Sequence, residues 1–297
     1  MSEEPGRGAP SRVSVIIPAL DVAAALPRQL DALTRQTYEG EWEVIVADNG
    51  SIDGTREAGQ SFSQRLPELQ VVDASSRKGG NHARNVGAAS ARGDFLAYCD
   101  ADDVVEPDWL AAMADAASRY DLVGGRLDDR ALNDRVTAAW RLPHPERGLP
   151  VVLGFLPYAV SANFGIWRDV LCGLEGWNET YSGGGEEVDL CWRAQLAGFA
   201  LGFAPDAVVR YRHRGGLGAL GRQFYRYGLA EPRLYRAFRG AGVPRKKLAG
   251  AVRNWAWIGV HLPYLATSPE KRGVWVRRAA FGWGRLRGSI QHRVLCL

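Results

Sequence analysis

The sequence is poor in cysteine and in long uncharged runs, and each shortage removes a class of protein. Its four cysteines, Cys99, Cys172, Cys191 and Cys296, are scattered and form no CxxC pair. A structural zinc site and a disulfide scaffold are therefore disfavoured, and free thiols in a reducing cytoplasm are expected. No stretch supplies the roughly 20 apolar residues of a membrane-spanning helix. Residues 148–167 lack charge but contain Pro150, Pro157, Ser161 and Asn163, a composition suited to buried core. Residues 254–269 are shorter and are interrupted by Pro263. Residues 1–12 are polar, with Gly and Pro but no apolar signal core, and read as a disordered lead-in. No GxGxxG follows a strand, which argues against a dehydrogenase. Pro18-Ala19-Leu20-Asp21 stands where a sugar nucleotidyltransferase would carry a Gly-rich phosphate loop.

Acidic side chains are nearly missing from the C-terminal part. From Arg210 onward 19 Lys/Arg face two acids, Glu231 and Glu270, a local charge of +17. The preceding 209 residues hold 18 basic and 31 acidic side chains, −13, so the net charge is only +4. Such asymmetry points to a basic tail that meets an anionic surface. Trp255, Trp257, Trp275 and Trp283 interleave with Lys271, Arg272, Arg277, Arg278, Arg285, Arg287 and Arg293, a mixture suited to a membrane interface. Nucleic acid also attracts basic helices, but no nucleic-acid reading motif is present. Two alternatives stay open for residues 215–297: a homodimer contact, or packing against the preceding domain.

What is present is an alternation of strands and helices. The 297 residues are enough for one large domain or two closely fused ones. Continuous apolar runs at residues 13–17 (VSVII), 43–47 (EVIVA), 69–72 and 94–99 (DFLAYC) suit buried parallel strands. Helices are expected over 23–36, where Leu26, Leu30 and Leu33 share a face, after the turn at 50–55 to about Arg65, and over 81–91, 107–118 and 186–198. Short strands are expected at 200–204 and 207–211, and helices from Leu217. The alternation predicts an α/β doubly wound sheet, whose ligands bind at the carboxyl ends of strands. Asp21, Asp48 and the run Asp100-Ala101-Asp102-Asp103 all follow strand ends, so three acidic loops converge on one edge. Each Asp alone is an ordinary turn or cap residue. Together they suit a hard divalent cation such as Mn²⁺ or Mg²⁺, which prefers carboxylates and phosphate oxygens.

Five segments occur in order: VSVIIPALD (13–21), DNGSIDGT (48–55), NHARNVGAA (81–89), YCDADD (98–103) and GGGEEVDLCWRAQLAGF (183–199). Together they resemble the inverting family 2 glycosyltransferases of GT-A fold, over about residues 13–214. The resemblance implies a nucleotide-sugar-binding half over 13–125 and an acceptor-binding half over 126–214; composition marks 215–297 as a basic helical extension. It implies that Pro18 and Asp21 shape the nucleotide pocket and that Asp48 reads the base edge. Arg84 contacts base or phosphate, Asp100 lies near the ribose and Asp102 holds the metal. Glu187 stands where the family usually carries the Asp that acts as general base, with Glu186 as the competing candidate. His213, in RYRHR, either completes the metal shell or is structural, with Arg212 and Arg214 as alternative diphosphate ligands. Gly183-Gly184-Gly185 is either a lid or a plain loop, and Trp177 and Tyr181 either offer an apolar face to acceptor or belong to the core. Asp21 and Asn49 depart mildly from the usual Asn and Asp.

The implied reaction moves a sugar from a nucleoside-diphosphate sugar to an acceptor hydroxyl on a polyprenyl-linked saccharide, a glycan, or a small molecule or peptide. The setting expected is cytoplasmic, peripheral on the inner face of the cell membrane. The competing readings are a sugar nucleotidyltransferase and a membrane-docked nucleotide-sugar-binding protein without transferase activity.

Overall fold

The computed structural model describes residues 7–245 and 248–296. In chain order its elements are β1 (Arg12–Ala19), α1 (Leu26–Leu33), β2 (Glu41–Asp48), α2 (Thr55–Gln60), β3 (Gln70–Asp73), α3 (Gly80–Ser90), β4 (Phe95–Cys99), β5 (Val104–Val105), α4 (Trp109–Ala117), β6 (Leu122–Asp128), α5 (Arg135–Ala139), β7 (Asn163–Trp167), α6 (Arg168–Gly173), α7 (Glu186–Leu196), β8 (Leu201–Arg210), α8 (Leu217–Phe238), α9 (Leu248–Val260) and α10 (Pro269–His292). One mixed sheet runs β3-β2-β1-β4-β7-β6-β8-β5. The pairs β3–β2, β2–β1, β1–β4 and β6–β8 are parallel, whereas β7 is antiparallel to both β4 and β6. The expected α/β mixed sheet is therefore observed, and it runs unbroken through both expected halves.

The parallel strands read clearly because both faces are covered: Val15, Ile16, Ile17, Val44, Ile45 and Val46 are all fully buried. α3 lies close over β1 because Gly87 is small; a Cβ there would stand 2.6 Å from Ile16 Cγ2. Three strands were not anticipated, and two of them are interrupted by glycine. In β7 a Cβ on Gly165 would meet the Phe95 ring at 2.4 Å. In β6 a Cβ on Gly124 would meet Leu149 and Ala159 at 2.5 and 2.6 Å. Crowding by neighbours selects glycine there, against its poor strand propensity. The two strands expected at 200–204 and 207–211 are one, β8. The interruption at Pro205-Asp206 is a bulge, where pairing with β6 jumps from Gly125↔Ala204 to Arg126↔Val208.

The lead-in is tied down where it is described. Arg7 binds Asp169 at 2.9 Å and Ser11 Oγ donates to Asp94 at 2.7 Å; residues 1–6 of that expected segment lie outside the described residues. Cys99, Cys172 and Cys191 are free thiols. No helix among the described residues is long and apolar enough to cross a membrane.

The basic helices pack back on the body. Leu234 and Phe238 of α8 join Tyr181, Val188 and Trp192 in a second apolar core. α8 and α10 cross at van der Waals contact of their backbones: a Cβ on Gly228 would lie 2.3 Å from Phe281 O, and one on Gly284 2.1 Å from Tyr225 O. Trp140 Nε1 donates to Pro269 O and so ties α10 to α5.

Candidate active site

Parallel strands deliver their following loops to one edge, and the acidic loops meet there. Asp48, 4% exposed, accepts from Ser51 N at 3.0 Å and lies 3.7 Å from Arg56 Nε. Asp21 accepts from Ile52 N at 2.9 Å while its own N–H donates to Ser51 Oγ, so the loops after β1 and β2 are stitched together. Pro18 pairs in register with Ala47 beside them. Asn49 donates to Ala74 O at 2.6 Å and accepts from Gly79 N at 2.8 Å. A carboxylate could do only the second, which explains an amide at that position.

Asp100, Asp102 and Asp103 each bring an oxygen within 4.8 Å of the others. Asp103 is 1% exposed; its Oδ1 accepts from Arg212 N at 2.7 Å, and its Oδ2 is buried with no hydrogen-bond partner among the described residues. Burial, and then the Asp100 charge, push the Asp102 and Asp103 carboxyls above the usual range. Converging carboxylates with an unmet buried oxygen fit a hard divalent cation.

Arg84, on α3, is buried rather than a surface arginine. It donates to Ser161 Oγ at 3.0 Å and Asn81 Oδ1 at 3.2 Å, stands 3.4 Å from Asp100 Oδ1 and lies over the Trp177 ring. Glu186 and Glu187 open α7. Glu186 is held by the Gly184 N–H at 2.6 Å. Burial, with the adjacent Glu186, pushes Glu187 up to about 8. Asp189 pairs with Arg193 one turn on, and Arg193 also donates to Leu174 O and Gly176 O, so this acid anchors the preceding loop.

A cleft of about 130 Å³ is lined by Arg84, Asp100, Asp102, Ser161, Glu186 and Glu187. Arg212, Arg214, Gln223, Arg226 and Tyr227 close it from β8's exit and α8. Pro18, Asp21 and Asp48 do not line this cleft; they stand at the ends of β1 and β2. His213 is turned elsewhere. Its Nε2 lies 3.3 Å from Asp129 Oδ1, it is not part of the acid triplet, and burial with Arg141 nearby pushes it down to about 4. The structure thus sets His213 against Asp129 and outside the acid triplet. Trp177 and Tyr181 are 1% and 6% exposed core residues.

Ser161, Gln223, Arg226 and Tyr227 were not anticipated. One local signal existed for the last two: the glycine triplet. Gly183, Gly184 and Gly185 all have positive φ, and a Cβ on the first two would lie 2.9 Å from Arg226 Cδ and 2.8 Å from Tyr227 Cδ1. The triplet is glycine because α8 is pressed against it.

A family model described as "Glycosyl transferase family 2" matches residues 14–172. The glycosyltransferase AglE of Haloferax volcanii is 30% identical over 279 residues, covering 91% of this chain and 88% of that protein. A Mycobacterium tuberculosis protein named "PGL/p-HBAD biosynthesis glycosyltransferase" is 37% identical over 133 residues, 43% of this chain and 52% of its own. Among solved structures, the mannosyltransferase PcManGT of Pyrobaculum calidifontis, in complex with GDP-Man and Mn²⁺, superposes with a TM-score of 0.61 at 19% identity, covering 96% and 90% of the two chains. Residues 1–349 of S. aureus TarS, in complex with UDP-GlcNAc, give 0.56 at 16% identity, covering 95% and 92%.

Proposed function

We propose a direct-displacement sugar transfer for this chain, which belongs to glycosyl transferase family 2 and is a glycosyltransferase of GT-A fold. The donor is a nucleoside-diphosphate sugar. The observation that carries the reading is the one cleft lined by Glu187, Arg84 and two members of the acid triplet, Asp100 and Asp102. Asp48 and Asp21 hold the nucleotide end. Asp100 and Arg84 hold the ribose and phosphates. Asp102, with Asp103 behind it, holds Mn²⁺ or Mg²⁺, which supplies positive charge to the leaving diphosphate. Arg212, Arg214 and Arg226 suit the diphosphate as guanidinium forks. Glu187, as carboxylate, takes the proton of the acceptor hydroxyl while its oxygen bonds to the anomeric carbon. The bond from that carbon to the diphosphate breaks, the nucleoside diphosphate leaves, and the centre inverts.

Thermal unfolding against a panel of nucleoside diphosphates, with and without Mn²⁺, tests the donor site, because a ligand that binds only the folded state raises the midpoint. A metal-dependent rise with one nucleotide is expected. No rise with any of them overturns the reading. Donor hydrolysis with no transfer to any acceptor would favour a nucleotide-sugar-binding protein instead.

We also propose that the outer face of α9 and α10 rests on an anionic membrane. Val252, Val260, Leu262, Trp283 and Ile290 are 55–75% exposed there, and Arg253, Lys271 and Arg287 are exposed beside them. Apolar side chains beside exposed cations suit the boundary between headgroups and acyl chains.

A further inference from the structure

A second cavity, about 210 Å³, adjoins the cleft and shares Val160, Glu187, Tyr211 and Tyr227 with it. Neither Arg84 nor the acid triplet lines it. Its remaining wall is mostly carbon: Val152 and Tyr158 from the segment before β7, Val188 from α7, Leu234 from α8 and Phe281 from α10. Three of the polar groups on that wall are already engaged. Glu231 is paired with Arg285 at 3.0 Å, and His144 with Asp129 at 2.9 Å. Tyr227 Oη accepts from Gln223 at 2.9 Å. The C-terminal helices therefore complete a lined pocket whose reactive end is Glu187.

Such a wall selects by desolvation. A saccharide seated here would press hydroxyls against Val152, Leu234 and Phe281, where they lose their hydrogen bonds to water without replacement. An aromatic or alkyl body loses nothing there and gains burial. Tyr158, Tyr211 and Tyr227 add aromatic edges and faces. The volume lies below the roughly 300 Å³ at which drug-sized sites begin, so it holds one ring with its nearest substituents rather than a whole lipid.

We infer that the acceptor is a phenol or a similar hydroxyl compound with a hydrophobic body, seated in this cavity with its oxygen at Glu187; this rests on the transferase reading above. The proton balance agrees. A carboxylate whose acid form titrates near 8 stands about two units below a phenol, which loses its proton near 10 in tyrosine. In the transfer the phenol O–H breaks, its proton goes to Glu187, the oxygen bonds to the anomeric carbon, and nucleoside diphosphate leaves.

The test uses the full chain and 4-propylphenol as probe, with a methyl glycoside as the polar comparison. Thermal shifts are read for each, and for nucleoside diphosphate with Mn²⁺ in the same samples. Expected is a rise with 4-propylphenol and none with the glycoside. Val152→Trp, which fills the cavity from a half-buried position, should weaken the probe at least tenfold, and Val152→Ser should weaken it severalfold. In both variants nucleotide should still raise the midpoint. The inference is overturned if the glycoside binds and 4-propylphenol does not, or if both variants bind the probe as the parent does. Failure of nucleotide to bind the parent chain would instead remove the donor reading, while the probe still reports on the cavity.

Discussion

In the N-terminal half, each acidic donor contact proposed sits within three positions of a strand end: Asp21 after β1, Asp48 at the end of β2, Asp100 and Asp102 after β4. In the C-terminal part, Gln223, Arg226 and Tyr227 reach the cleft of Asp100 and Asp102 from inside a 22-residue helix that carries no such marker. The difference is one of mechanism. A parallel sheet sends every following loop to one edge, so topology alone assembles the acids. A helix shows one of several faces, and which face meets the cleft is decided by what packs on the others. For α8 that is α10, through Gly228, Gly284 and Gly288, and the glycine triplet before α7. The first half should therefore fail through chemistry when altered, and the second through geometry.

The largest effect is expected in the first half. Asp102→Ala should lower kcat roughly a thousandfold or more, because several kcal/mol of charge stabilisation depend on the cation it holds. Activity near that of the parent, across a Mn²⁺ titration, would remove the metal assignment. Glu187→Gln should cost about a hundred- to thousandfold in kcat while nucleotide affinity is kept. The Glu186 amide variant should cost less, since that carboxylate is held by Gly184 N. The opposite order would make Glu186 the base.

The second half is probed at the helix crossing. Gly284→Val places carbon where Tyr225 O now lies 2.1 Å from the Cβ position. Overpacking of this kind costs about 1–3 kcal/mol, read as a fall in Tm. Arg226 and Tyr227 lie on the displaced helix, so kcat/KM should fall with it. A lower Tm with unchanged kcat/KM would show that α8 does not position the site.

How much of this was legible follows the same division. The strand runs at 13–17 and 43–47 and the acidic loops after them could be read because hydrophobic run and site lie within a few residues. β6 and β7 could not: LVGGRLD and NFGIW contain glycines chosen by Leu149, Ala159 and Phe95, residues 25 to 70 positions away. The setting of His213 was hidden for the same reason. Its motif sits at the exit of β8, but Asp129, 84 positions earlier, captures it. The basic tail was legible as charge and not as use: Arg226 faces the cleft and Arg285 pairs with Glu231.

A smaller effect lies in pH. Glu187 must be ionised to accept a proton, and burial with Glu186 holds it protonated up to about 8. Lower pH therefore removes the base: kcat/KM should rise about tenfold per unit up to a midpoint near 8 and then level off. Removing the neighbouring charge with Glu186→Gln should move that midpoint down. A flat profile between pH 6 and 9 would mean that another group takes the proton.

The smallest effect concerns the outer face. If α9 and α10 rest on lipid, vesicles containing anionic lipid should sediment with the protein, and neutral vesicles should do so less. Two contributions separate here. The charge of Arg253, Lys271 and Arg287 acts through the surface potential and fades within a Debye length of about 8 Å at physiological salt. The apolar contribution of Trp283, 57% exposed, is indifferent to salt. Raised salt should thus weaken binding to anionic vesicles and leave a residue, and Trp283→Ser should lower that residue severalfold. Trp283 lies on α10 away from the cleft, its ring against Trp255 at 5.1 Å, so kcat on a water-soluble acceptor should hold. Equal binding to neutral and anionic vesicles, or none to either, would leave the outer arginines without a lipid partner and confine the work of this region to closing the cleft.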